Sequence, residues 1–261
     1  MKTRADWPVA FFDDDYLKIY FHQFTPERTA AEADFIQSSL ALPPGAAVLD
    51  LACGSGRHAV AMAKRGYRVM GVDFNPHYLA IAAEEAIRAG AVVEWVPLDM
   101  RALDYAERFD GVYSFFTSFG YFSDDENEMV LDRIARALRP GGRLLLDMAN
   151  RDWVVTHPQE RTWTQREDGA LLMEEVTIDL GSSRVISRLT LIEPQGPRLD
   201  KEFDLRVYTC AELTALLRRY GMGVREVWGD ADRGAYSTES RRLVLLAEKG
   251  AAAVGAGTHA G

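Results

Sequence analysis

Three carboxylates stand at matched places in the first half of the chain, each at the end of a short apolar run. Asp50 lies in the run at residues 47–51, Asp73 follows the run at 68–72, and Asp99 comes just after the run at 92–96. Between the first two lies Gly54-Ser55-Gly56, a turn from a strand into a helix of small residues. Glycines at such a turn let a ligand approach the backbone and leave the first helical amides free. Asp73, nineteen residues after Gly54, is placed to accept hydrogen bonds from both hydroxyls of a ribose, and Asp99 to meet an adenine amino group. Acids on successive strand ends converge at the carboxyl edge of an open α/β sheet, which is where such sheets bind ligands. Gly54-Ser55-Gly56-Arg57-His58-Ala59 also fits the dinucleotide fingerprint, a weak signal when alone. A pyrophosphate, however, favours a helix N-terminus free of acids. Asp50 beside this turn suits a ligand with a cationic amine instead.

The elements that must position these residues can be read in order. Thr25-Pro26 starts a helix, with Thr as cap and Pro at the first helical position. Phe35, Ile36 and Leu40 then face a core, and Leu42-Pro43-Pro44-Gly45 breaks the helix. Apolar strands at 47–51, 68–72, 92–96, 111–115 and 143–148 alternate with helices, so they predict a mainly parallel sheet covered on both faces. Ser123 with Glu126, and Thr209 with Glu212, form capping boxes. From residue 162 the pattern changes to alternating strands at 162–165, 171–180, 184–193 and 201–208, which reads as antiparallel with one wet face. Two last strands are expected at 223–228 and 242–247. The chain thus divides into a helical N-terminal cap (1–40), a core (41–150), an antiparallel β insert after the fifth strand (151–208), the C-terminal part of the core (209–249) and a mobile tail (250–261).

Bulk properties narrow the function. The 261 residues, 48% of them hydrophobic, are enough to bury a core without disulfide or metal staples. A formal charge of −9 argues against nucleic acid and anionic membranes as partners. Cys53 and Cys210 are far apart and fit no metal spacing, so no metal is expected. No stretch is apolar enough to span a bilayer, and a cytoplasmic protein is the simplest expectation.

Val48-Leu49-Asp50-Leu51-Ala52-Cys53-Gly54-Ser55-Gly56 resembles the first motif of the class I S-adenosylmethionine-dependent methyltransferases. Asp73 and Asp99 match that family's acidic second and third motifs, and Leu138-Arg139-Pro140-Gly141-Gly142-Arg143-Leu144 looks like its post-helix turn. The resemblance covers about residues 10–248. It implies a Rossmann-like α/β, doubly wound sheet of seven strands, one antiparallel, which the two C-terminal strands complete. It implies S-adenosylmethionine as cofactor, with backbone contacts from Ala52, Cys53 and Gly54 to its methionine part. Asp73 would hold the ribose, Phe74 pack on the adenine, Asp99 and the Met100 backbone read its edge, and Phe115 line the methionine end. The family commonly has glycine where this chain has Ala52.

The same resemblance implies that an N-terminal helix closes over the cofactor. Tyr20 and Arg28 are its candidate contacts, Arg28 for the carboxylate, since a guanidinium pairs with it at two points. Residues 115–122 carry five aromatic rings and would face the acceptor, a small molecule. They lack the Asp/Asn-Pro-Pro-aromatic signature of enzymes that methylate base amines. His22 and Tyr121 are candidate general bases, although a lone His is more often structural. An amine needs only to be neutral when it attacks, whereas a hydroxyl usually needs a base, so nitrogen is slightly favoured over oxygen. The insert would serve as a lid or as the surface of a homodimer. The rivals are a nicotinamide-dependent oxidoreductase and a non-catalytic S-adenosylmethionine-binding protein.

Overall fold

The computed structural model describes residues 10–251. The first nine residues of the expected cap, and the expected tail from residue 252 on, lie outside the described residues. The chain enters through α1 (Asp14–Tyr20), a 3-10 turn (Phe21–Gln23) and α2 (Pro26–Leu40). The core follows as β1 (Ala47–Leu51), α3 (Arg57–Lys64), β2 (Arg68–Asp73), α4 (Pro76–Ala89), β3 (Val93–Pro97), β4 (Phe109–Ser114), α5 (Asp124–Ala137) and β5 (Leu138–Ala149). After the short helix α6 (Arg151–Thr156) come β6 (Arg161–Gln165), β7 (Leu171–Asp179), β8 (Arg184–Ile192) and β9 (Arg198–Arg206). Helix α7 (Cys210–Arg219), β10 (Met222–Trp228) and β11 (Arg242–Lys249) complete the core.

The main sheet has seven strands in the order β10-β11-β5-β4-β1-β2-β3, with β11 antiparallel to β5. This is the expected doubly wound, Rossmann-like α/β sheet. Side chains alternate between its faces because the strand period is two. Leu49, Leu51, Met70 and Val72 pack with Leu131, Ile134 and Leu213 on one side. Val48 and Val69 pack with Phe35, Ile36, Ala59 and Met62 on the other. Helix starts are set locally: the Thr25 side chain accepts the Arg28 amide at 3.2 Å, and both expected capping boxes form.

The order reverses beside β1, whose neighbours are β4 on one side and β2 on the other. Parallel pairing of Asp50 with Gly71 and of Asp73 with Pro97 brings the carboxyl ends of β1, β2 and β3 together. A crevice at such a switch point is the ligand site of an open α/β sheet.

The insert is a four-stranded antiparallel meander, β6-β7-β8-β9. Its inner face carries Leu189 and Leu191, which pack on Phe11 and Ile19 of the N-terminal segment. Val185 and Leu205 pack on Tyr121 in the loop after β4. The stretch after β5, which the sequence reading left unassigned before residue 162, begins with α6. Asn150 causes it, since its side chain accepts the Asp152 amide as a cap while its amide group donates to Ser237 and Ser240 carbonyls. Among the described residues no helix is long and apolar enough to cross a membrane.

Candidate functional site

The turn after β1 is built to bring backbone against a ligand. Ala52, Gly54 and Gly56 all take positive φ, at 60°, 53° and 77°. Glycine adopts this region without cost, whereas Ala52 carries some strain there. At Gly56 space also demands glycine, because a Cβ would meet Ala82 Cβ and Trp95 Cη2 at 2.6 Å. The Cys53 thiol hangs close to Gly71, and burial pushes its pKa up. Burial thus favours the protonated, weakly nucleophilic thiol.

An open cavity lies over this turn. Asp50, Ala52, Cys53, Gly54, Asp73, Phe74, Asp99, Met100, Phe115 and Tyr121 all line it, so ten of the anticipated positions are brought together. Asp73 Oδ2 accepts the Gly54 amide at 2.8 Å and Oδ1 the Asn75 amide at 2.9 Å. These bonds hold the carboxylate at the end of β2 and tie it to the glycine turn. Burial raises its pKa against the pull of those donors. Asp99 caps the 3-10 turn Met100–Ala102 and is gripped by Arg101, whose Nη2 stands 2.7 Å away. Arg101 in turn stacks over Phe122 at 4.3 Å.

Asp50 and Arg57 give the cavity its electrical character. Asp50 is 2% exposed, and burial, with the Asp73 charge nearby, raises its pKa to about 7. Tyr113 and Arg57 oppose that rise. One of its oxygens, Oδ2, is buried without a hydrogen-bond partner. Arg57 also lines the cavity. Its Nη1 donates to Glu32 and to Thr29 Oγ1, its plane lies 4.9 Å from the Phe24 ring, and its Nη2 is buried without a partner. Glu32 also accepts from His58 Nε2 at 2.8 Å and from Arg28 Nε at 2.8 Å. Burial disfavours the Glu32 carboxylate, yet the His58 bond and the Arg57 charge hold it well below the usual range. Burial keeps His58 neutral, so its Nε2–H donates and Arg57 supplies the positive charge.

The N-terminal candidates fall elsewhere. His22 is exposed in the 3-10 turn and does not line the cavity. Arg28 is exposed, bonded to Glu32, with its guanidinium 5.4 Å from the Phe116 ring. Tyr20 stands one layer behind the wall, 4.7 Å from Tyr16 and 6.1 Å from Phe116 between ring centres. The guanidinium that reaches the cavity is Arg57, which the sequence reading passed over. Its signal was present: a basic residue at the first position of the helix that follows a ligand-binding glycine turn.

Away from the acids the cavity wall is Phe12, Tyr16, Leu17, Phe24, Phe116 and Tyr121. Burial raises the pKa of both Tyr16 and Tyr121, which favours their neutral phenol forms. Of the five aromatic rings in 115–122, Phe119 turns away into the core.

Comparison with known proteins agrees with this architecture. Residues 48–142 match a family model described as a methyltransferase domain. A protein of Geobacillus sp. (strain WCH70) bearing a methyltransferase name is 35% identical over 207 residues, covering 77% of this chain and 84% of that one. The cypemycin N-terminal methyltransferase of a Streptomyces species is 29% identical over 252 residues, covering 85% and 97%. The solved CcbJ methyltransferase of Streptomyces caelestis superposes with a TM-score of 0.78 at 23% identity, covering 90% and 96%. With the three strand-end acids, the glycine turn and a relative matched over most of both chains, the chain belongs to the class I S-adenosylmethionine-dependent methyltransferases.

Proposed function

We propose that this enzyme transfers the methyl group of S-adenosylmethionine to the nitrogen of a small, largely apolar amine. The observation that carries the reading is the pair of orphaned groups in one cavity, Asp50 Oδ2 and Arg57 Nη2. A buried polar atom left without a hydrogen bond is costly. An α-amino acid end, with its ammonium and its carboxylate, satisfies both at once. Arg57 would then take the carboxylate role expected of Arg28, and Asp50 the ammonium. Asp73 would hold the ribose hydroxyls, and Phe74, Asp99 and the Met100 backbone the adenine.

The bound sulfonium supplies an electrophilic methyl group. The protein's part is alignment and exclusion of water, which serve a direct displacement well. Phe12, Tyr16, Phe24, Phe116 and Tyr121 form an apolar wall for the acceptor, as small-molecule sites commonly do. His22 lies outside the cavity, and burial keeps Tyr16 and Tyr121 of this aromatic wall as phenols. A nucleophile that attacks as the neutral amine fits it best, and the cypemycin relative is named as an N-terminal methyltransferase. The insert, packed on Tyr121 and the N-terminal segment, would set the acceptor's shape.

Calorimetry with S-adenosylhomocysteine and NAD, followed by a screen of small amines, phenols and amino sugars against labelled cofactor, tests the reading. Binding of the sulfur ligand alone and methylation of an amine are expected. NAD binding without a response to S-adenosylhomocysteine reverses the assignment, and salt-sensitive methylation of RNA with no small acceptor overturns the acceptor class.

The pH dependence of binding is a separate check. Asp50 titrates near pH 7 in the free protein, and the ligand ammonium favours its ionised form. Binding therefore expels a proton below that pH and none above it. Affinity for S-adenosylhomocysteine is expected to be level above the Asp50 pKa and to fall by up to about tenfold per pH unit below it. Asp50→Asn should flatten this slope. A wild-type profile already flat across that range would remove Asp50 from the ammonium site.

A further inference from the structure

The loop that follows β4 takes an unusual path. Phe116 and Thr117 are consecutive, neither is glycine, and both have positive φ, at 66° and 55°. Such backbone persists only where surrounding structure dictates it, and it clusters at functional sites. Here one residue dictates it. Asp147, on β5 and 7% exposed, accepts the Phe116 amide on Oδ2 at 2.8 Å and the Thr117 amide on its main-chain carbonyl at 3.1 Å. Arg242, on β11, donates Nε to Oδ1 at 2.7 Å and Nη2 to Oδ2 at 2.6 Å. Both carboxylate oxygens are thus engaged as acceptors.

The Phe116 ring projects from this loop against the N-terminal segment. It meets Phe24 edge-on at 5.2 Å and Tyr20 at 6.1 Å, and Arg28 lies over it. Phe24 then carries Arg57 on its face. A continuous set of packed groups runs from Asp147 to the segment that roofs the cavity.

We propose that Asp147 is a positioning residue that, clamped by Arg242, holds Phe116 as the shelf on which the N-terminal segment closes over the bound cofactor. The inference rests on the cofactor reading above. An amide at 147 replaces one acceptor oxygen by a donor NH2, which must face either Arg242 Nε or the Phe116 amide, donor against donor. The clamp or the loop bond is therefore lost, and the left-handed pair keeps only the Thr117 bond to the main-chain carbonyl. The segment should then open more often and release ligand faster.

The test uses S-adenosylhomocysteine as probe and reads its dissociation rate by stopped flow, with amide exchange over residues 14–24 as a second readout. Asp147→Asn should speed release roughly tenfold, the loss of about one charged hydrogen bond, and raise exchange in that segment. Phe116→Ala should do the same and carries the test if Asp147→Asn fails to fold. Thr117→Gly in the Asp147→Asn background should restore slow release in part, because glycine at 117 takes positive φ without strain and lowers the cost of the loop that the Phe116 bond had offset. A strand tie between β5 and β11 alone would lower the melting temperature without this rescue. Unchanged release in both Asp147→Asn and Phe116→Ala, or a double variant no slower than Asp147→Asn, overturns the inference. No binding of S-adenosylhomocysteine by the wild type would instead sink the cofactor reading itself.

Discussion

Asp73→Ala is expected to lower affinity for S-adenosylhomocysteine by roughly ten- to 150-fold while the protein stays folded. The lower figure is about the worth of one hydrogen bond to a charged acceptor, 1.5 kcal/mol, and the upper figure of a strong one, 3 kcal/mol. The structure adds a second route to the loss. Asp73 also receives the Gly54 amide, so its removal loosens the turn that carries the backbone contacts. The effect should be as large for 5′-methylthioadenosine, which keeps the ribose but has no amino acid end. Calorimetry on both ligands reads this directly. Unchanged affinity in a folded variant means that the ribose sits elsewhere.

Arg57→Gln should produce a loss of similar size, roughly ten- to 150-fold by the same conversion, with the opposite ligand signature. The free Nη2 of Arg57 has work to do only if the ligand bears a carboxylate. S-adenosylhomocysteine should therefore bind the variant weakly, and 5′-methylthioadenosine should bind it about as well as it binds the wild type. Arg28→Gln is the control. Arg28 is exposed and bonded to Glu32, and its loss should cost far less. If the two arginines rank the other way, the carboxylate lies under the N-terminal helix and not beside the glycine turn. Thermal melts belong with this experiment, because Arg57 also holds Glu32 and His58 in place.

The pair of variants separates the two halves of the ligand. Asp73 answers for the nucleoside and Arg57 for the amino acid, and Asp50 adds a pH dependence that neither of them carries. A dinucleotide would show no such division, since it has no α-amino acid end.

Much of this site was legible in the residue order, and the physical reason is locality. The ends of β1, β2 and β3 follow from short apolar runs, and the turn at Gly54-Ser55-Gly56 follows from what glycine alone does easily. Asp50, Asp73 and Asp99 are attached to those strand ends, so their convergence came with the sheet. The caps at Thr25, Asn75, Ser123 and Thr209 are equally local, each made with an amide two or three residues on. What only the tertiary structure decided is which side chains from distant segments share one space. Glu32 draws in Arg57 and His58 from 25 and 26 residues away, and this choice sends Arg57 into the cavity and leaves Arg28 on the surface. His22 is left outside by the same packing of the cap. Asp147 and Arg242 lie 95 residues apart, and the backbone they impose on Phe116 and Thr117 has no sign in the sequence, where neither position is glycine. Strand ends and turns are set by near neighbours along the chain, whereas the partner of a buried charge is set by whatever the fold brings within reach of it.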